Sequence, residues 1–111
     1  VVREILGDNI DVIKSKVLVQ GLKKKDAVVI EAIDKASEVL GRACISLRHI
    51  LNPEMIIFGG GLIEACGYYM LPRIRKVSNS DPFFKGIDHC RIEASILKDH
   101  AVILGAVCLL K

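Results

Sequence analysis

The stretch LNPEMIIFGGG, residues 51–61, decides how the rest of the chain is organised. Asn52-Pro53 ends a helix, because proline disfavours the α conformation in the residue before it. Met55 to Phe58 is a continuous apolar run, the pattern of a strand covered on both faces. Gly59, Gly60 and Gly61 then remove every Cβ from the turn, so the backbone can take positive φ and a ligand can approach its N–H groups closely. From Leu62 the chain reads as helix, which sets the glycines between a strand's C-terminal end and a helix N-terminus. Ligands bind at that edge in α/β proteins, and free N–H groups with the helix dipole favour anions there. Two readings stay open: a nucleotide or phosphate turn, and a tight turn in which the glycines serve packing alone. A P-loop is excluded, since no Gly-Lys-Ser/Thr follows, and G-G-G lacks the G-x-G-x-x-G dinucleotide spacing.

Upstream, Val29, Ile33, Ala36, Leu40, Ala43, Leu47 and Leu51 recur at steps of four and three, one face of a helix from Asp26 to Ile50 or Leu51. Such a helix has about 25 residues and is roughly 37 Å long. Asp26 is its expected N-cap or first-turn acid. Gly41 inside it costs helix stability and points to close approach by another element. Val28, Ala32, Val39, Cys44 and Ile50 widen the apolar surface, so cover on more than one side is expected. Before Asp26 the pattern is weak: a helical turn at Val2 to Leu6, a turn at Gly7-Asp8-Asn9, helix-like spacing from Ile10 to Leu18, and a break at Gly21.

Downstream, Ile63 to Val77 reads as helix interrupted at Pro72. SNSDPFFKG, residues 78–86, is a loop anchored by Phe83-Phe84. Arg91 to Leu97 alternates, with Ile92, Ala94 and Ile96 on one side and Arg91, Glu93 and Ser95 on a wetter one. Asp99 is the expected N-cap of a last helix, Ala101 to Leu110, and a catalytic Asp99-His100 pair is the lesser reading. The order helix, strand, GGG turn, helix, strand, helix defines an α/β fold with a parallel strand pair. Two strands make a poor sheet. The expectation is an incomplete lobe, its missing neighbours supplied by an upstream part of the same gene product or by another chain.

At 111 residues, 51% hydrophobic and 26% charged, the chain can bury the core of a single domain and is not disordered. Its longest apolar run, Ala101 to Leu110, is about half a membrane span. Val1-Val2-Arg3 opens no signal peptide, and without an initiating methionine a fragment or processed piece is expected. The net charge of +3 includes one basic run, Lys23-Lys24-Lys25, which reads as a solvated turn with none of the readers a nucleic-acid surface needs. Cys44, Cys66, Cys90 and Cys108 lie far apart without C-x-x-C spacing, so free thiols in a reducing cytoplasm are expected and zinc at His89-Cys90 is not.

LNPEMIIFGGGL, a helix carrying M-L-P-R-I, and the terminal RIEASILKDHAVILGAVCLL together resemble the C-terminal part of the ROK family of repressors, open reading frames and kinases. The resemblance covers Asp26 to Lys111 and rests on the order of the parts, ending in D-x-A-x-x-x-G-A. It implies a partial actin-like ATPase (ribonuclease H-like) lobe, one of two that close on a sugar and ATP with Mg²⁺. By the same resemblance Gly59, Gly60 and Gly61 belong to the adenosine-phosphate site, with Leu62 and Ile63 near the base or ribose. The final helix would connect the lobes, its Gly105-Ala106 pair allowing close contact. The D-x-G-x-T phosphate loop, the catalytic aspartate and the C-x-C-G-x-x-G-C zinc segment of the family have no match in this sequence.

The resemblance therefore implies the nucleotide-binding C-terminal segment of an ATP-dependent hexose kinase of glucokinase type, inactive by itself and cytoplasmic. Its partners would be nucleotide, sugar and the N-terminal lobe, in a homo-oligomer without membrane contact. Two rivals stand beside it: a sugar-responsive ROK repressor, which alone would bind DNA, and a non-catalytic interaction lobe.

Overall fold

The computed structural model describes residues 15–87, 90–97 and 100–110. The expectations for Val2 to Asn9, for His89 and for Asp99 lie outside the described residues. The elements are α1 (Ser15–Lys23), α2 (Ala27–Leu51), β1 (Met55–Phe58), α3 (Gly61–Ser78), a 3-10 turn (Pro82–Phe84), β2 (Arg91–Ala94) and α4 (Ala101–Leu109).

Helix α2 begins and ends where its local chemistry dictates. The Asp26 carboxylate accepts from the N–H groups of Val28 at 3.0 Å and Val29 at 3.2 Å, filling donors that the first turn leaves unpaired. At the other end Asn52 turns left-handed, with φ 47° and ψ 53°, and its N–H donates to the Arg48 carbonyl. Pro53 then forbids continuation.

The buried face of α2 is not the expected one. Val29 and Ile33 are buried, but the stripe continues through Ser37, Gly41, Cys44 and Arg48, whereas Ala43, Leu47 and Leu51 are exposed. Small residues lie on this face because α3 presses against it: a Cβ on Gly41 would stand 2.5 Å from Val77 Cβ. Ser37 hides its hydroxyl by donating to the Ile33 carbonyl at 2.8 Å. Arg48 donates from Nη1 to the Ser78 carbonyl at 3.0 Å, Ser78 Oγ at 3.2 Å and Asn79 Oδ1 at 3.1 Å. The expected second cover over Val28, Val39 and Ile50 is not formed by described residues, and these side chains are exposed.

Gly21 does not break the chain. It lies inside α1, where a Cβ would come within 2.7 Å of Val29 Cγ2, so the missing side chain lets α1 rest on α2. Pro72 likewise fails to interrupt α3, which is one helix from Gly61 to Ser78. Pro72 itself is exposed, while Met70, Leu71 and Ile74 around it are buried and anchor the helix on both sides of the proline.

The two strands pair in parallel, with Met55 opposite Arg91 and Phe58 opposite Ala94. Helix α3 packs beside them, tied by Arg75 Nε donating to the Ile92 carbonyl at 2.9 Å. The core joins Leu22, Val29, Ile33, Cys44, Ile63, Cys66, Met70, Leu71, Ile74 and Ile92. Described residues cover one face of β1: Ile56 and Phe58 are half-buried against the helices, and Met55 and Ile57 (61% exposed) face outward, on the side for which the sequence called for neighbours from elsewhere. Strand β2 stops at Ala94, earlier than the alternation implied, because Ser95 Oγ accepts the Leu97 N–H at 3.2 Å and bends the chain. In α4 every described residue beyond Ala101 is exposed. No helix among the described residues is long and apolar enough to cross a membrane.

Candidate functional site

The parallel pairing brings the C-terminal ends of β1 and β2 to the same level, and the starts of α3 and α4 lie beside them. Between them is a concavity of about 160 Å³, lined by Phe58, Gly59, Gly60, Ile63, Glu64, Ala94, Ser95 and Ala101. Gly60 is the N-cap of α3, with φ 99° and ψ 167°, a conformation in which a side chain is strained. The Glu64 N–H donates to the Gly60 carbonyl at 3.0 Å and closes the first helical turn. The N–H groups of Gly61, Leu62 and Ile63 precede that first bond, and no side chain caps the helix. A Cβ on Gly60 or Gly61 would meet nothing within 4 Å, and one on Gly59 would meet only Ser95 Cβ at 3.8 Å. Among the described residues the glycines thus serve no internal close packing; the space they leave opens outward.

Of the residues singled out in the sequence, Gly59, Gly60 and Ile63 line the concavity, whereas Gly61 and Leu62 flank it. Ile63 is only 7% exposed and belongs to the core, so little beyond its edge is open to the concavity. Five lining residues were not among those singled out in the sequence: Phe58, Glu64, Ala94, Ser95 and Ala101. Glu64 was accessible in principle, since a residue four positions after the N-cap Gly60 stacks over the turn. Ser95 required the strand register, which places it level with Gly59.

Two polar clusters lie elsewhere. Tyr69 donates to Asp34 Oδ1 at 2.7 Å, and Arg73 Nε pairs with the same carboxylate at 3.0 Å while lying over the Tyr69 ring. The hydrogen bond to Asp34 pushes the Tyr69 phenol up, and partial burial adds to it. At the far end of α2, His49 Nε2 meets Asp81 Oδ2 at 2.9 Å, and the Phe83 N–H donates to Asp81 Oδ1 at 2.9 Å. These bonds, the one from His49 foremost, hold the Asp81 carboxyl below the usual carboxylate range. Burial pushes the Cys44 and Cys66 thiols up. No group of three or more His, Cys, Asp or Glu among the described residues could hold a metal ion.

Glycine N–H groups and a helix start at the carboxyl edge of parallel strands form the ligand-binding edge of an α/β protein. The chain belongs to the ROK family, whose profile matches residues 2–111. It is similar to a xylose repressor from Caldicellulosiruptor bescii, 34% identical over 96% of this chain and 27% of the repressor. It is also similar to a glucokinase from Thermotoga maritima, 33% identical over 87% of this chain and 30% of that enzyme. Its fold matches part of the crystal structure of a candidate sugar kinase from Cytophaga hutchinsonii with a TM-score of 0.77, at 22% identity, over 92% of this chain and 34% of that one. The chain therefore spans about a quarter to a third of the length of these relatives.

Proposed function

We propose that this chain is the C-terminal, nucleotide-gripping segment of a ROK-type sugar kinase with the actin-like ATPase fold, working in the cytoplasm. The observation that carries the reading is the outward-opening turn at Gly59–Gly61, where uncapped N–H groups face space that no side chain fills. The glucokinase relative and the fold shared with a candidate sugar kinase support it. Bound ATP would supply the γ-phosphoryl group that passes to a hexose hydroxyl. The part played by these residues is positioning: N–H groups of the turn take phosphate oxygens, and Gly59 and Gly60 let the nucleotide approach the backbone.

The donor set fits a nucleotide; it does not fit a magnesium site, since the described residues that line the concavity include a single carboxylate, Glu64. Mg²⁺ is accordingly assigned to the phosphates and to the other lobe, as are the general base and the sugar-binding groups. The full-length protein should phosphorylate at least one member of a hexose panel in an ATP-coupled assay. Gly60→Val should weaken nucleotide binding at least about tenfold. Unchanged affinity in a folded variant would remove the site assignment.

A second reading is favoured by the xylose repressor match, which covers almost the whole chain at 34% identity. In that case the full-length protein should bind DNA in a sugar-dependent way and transfer no phosphoryl group.

A further inference from the structure

Glu64 places a carboxylate on the wall of the concavity, in the first turn of α3. Among the described residues its side chain forms no hydrogen bond or ion pair. A carboxylate only accepts, and it repels phosphate. Other lining groups are of the opposite kind. Ser95 Oγ, at the end of β2, receives the Leu97 N–H, which leaves its own proton free to donate, and the N–H groups of Gly61, Leu62 and Ile63 one turn before Glu64 are donors as well. The lining therefore sorts the parts of a nucleotide, with phosphate oxygens toward the glycine turn and Ser95 and a hydroxyl-bearing part toward Glu64.

Size narrows the choice further. At about 160 Å³ the concavity is smaller than ordinary ligand sites and holds a fragment of a nucleotide, not the whole. The fragment next to phosphate is ribose, whose adjacent hydroxyls offer two donors to the two oxygens of one carboxylate. We infer that Glu64 accepts from the ribose hydroxyls of the bound nucleotide and makes the site prefer ribonucleotides over 2′-deoxyribonucleotides. The inference rests on the nucleotide reading above.

The test is calorimetric titration of ADP and 2′-deoxy-ADP into the full-length protein, as wild type, Glu64→Ala and Glu64→Gln. Wild type should bind ADP about tenfold more tightly than the deoxy form. Glu64→Ala should lower ADP affinity by a similar factor and leave 2′-deoxy-ADP almost unchanged, so that the preference disappears. Glu64→Gln keeps an accepting oxygen in the same volume and should retain part of the preference; it also carries the test if the alanine variant fails to fold. A wild type that binds both nucleotides equally, or a Glu64→Ala variant that loses both equally, overturns the role of Glu64 and leaves the nucleotide reading standing. A wild type that binds no adenine nucleotide overturns both.

Discussion

The guanidinium carbon of Arg48 lies 3.8 Å from the centroid of the Phe84 ring, so a buried charge at the end of α2 fastens the loop that follows α3. The same guanidinium donates to Ser78 and Asn79 at the C-terminal end of α3, where carbonyl groups lack intrahelical partners. Among the described residues its Nη2 has no acceptor, which sets a cost against these gains. Arg48→Ala should destabilise the full-length protein by about 3 kcal/mol, since it empties a buried site and strands several acceptors. Arg48→Met keeps the apolar stem and removes the unpartnered nitrogen, so it should lose about half as much. Denaturant midpoints of the two variants measure the difference, and equal losses would mean that the hydrogen bonds of Arg48, absent from both variants, set the cost and that its packing volume adds nothing.

Gly41 and Gly67 are both helical glycines, yet they should respond to alanine with opposite signs. Alanine gains up to about 1 kcal/mol of helix propensity over glycine. At Gly41 the new methyl would meet Val77 Cβ at 2.5 Å and the Ile74 carbonyl at 3.1 Å, neither of which is a flexible tip. Overpacking of that kind costs about 1–3 kcal/mol and should win. At Gly67 the nearest atoms are Ile63 Cγ2 at 3.4 Å and Leu71 Cδ1 at 3.7 Å, ordinary contacts. Gly41→Ala should therefore lower the thermal midpoint, and Gly67→Ala should leave it unchanged or raise it.

These two positions also mark what the sequence could show. The ends of α2 were legible because Asp26 and Asn52-Pro53 act on backbone groups within a few residues of themselves. Gly41 was legible as a point of close approach because glycine inside a helix is otherwise a cost. The buried face of α2 was only half legible: hydrophobic spacing selects Ala36, Leu40, Ala43 and Leu47, but α3 packs against Ser37, Gly41, Cys44 and Arg48. Nothing local tells Arg48 that its acceptors lie 30 residues away. The glycine turn was legible as a candidate site because three glycines between an apolar strand and a helix free the backbone, whereas Ser95 and Ala101 join it only through the parallel register and the placement of α4.

The loop at Asp81 should give the protein a recognisable acid limb. Asp81 is held below its ordinary pKa by His49 and the Phe83 N–H, so its contribution is full above the unfolded value of about 3.9. It fades as the pH falls through the lower, folded value, because the unfolded chain takes up the proton first. Asp81→Asn removes this titration. Between about pH 5 and pH 3 the thermal midpoint of wild type should fall more steeply than that of the variant. Parallel curves would show that the His49–Asp81 contact adds nothing in solution.

Gly59→Ala separates the site from the fold more cleanly than any change at Gly60. Gly60 has φ 99°, so a side chain there strains the backbone before any ligand is considered. Gly59 has no such conformation, and its new methyl would lie at an ordinary 3.8 Å from Ser95 Cβ. The thermal midpoint should therefore move little, within the range of about 0.5 kcal/mol common to unstrained surface changes. The same methyl would occupy part of a concavity of about 160 Å³ that Gly59 itself lines, and it would hold a phosphate or ribose away from the backbone N–H groups. Nucleotide affinity of the full-length protein should fall at least about tenfold, with stability as the internal control. If both stay unchanged, the ligand does not enter between the strand ends, and the nucleotide must be sought on another surface. If both fall together, Gly59 serves packing, which is the plainer of the two readings that the glycine run first allowed.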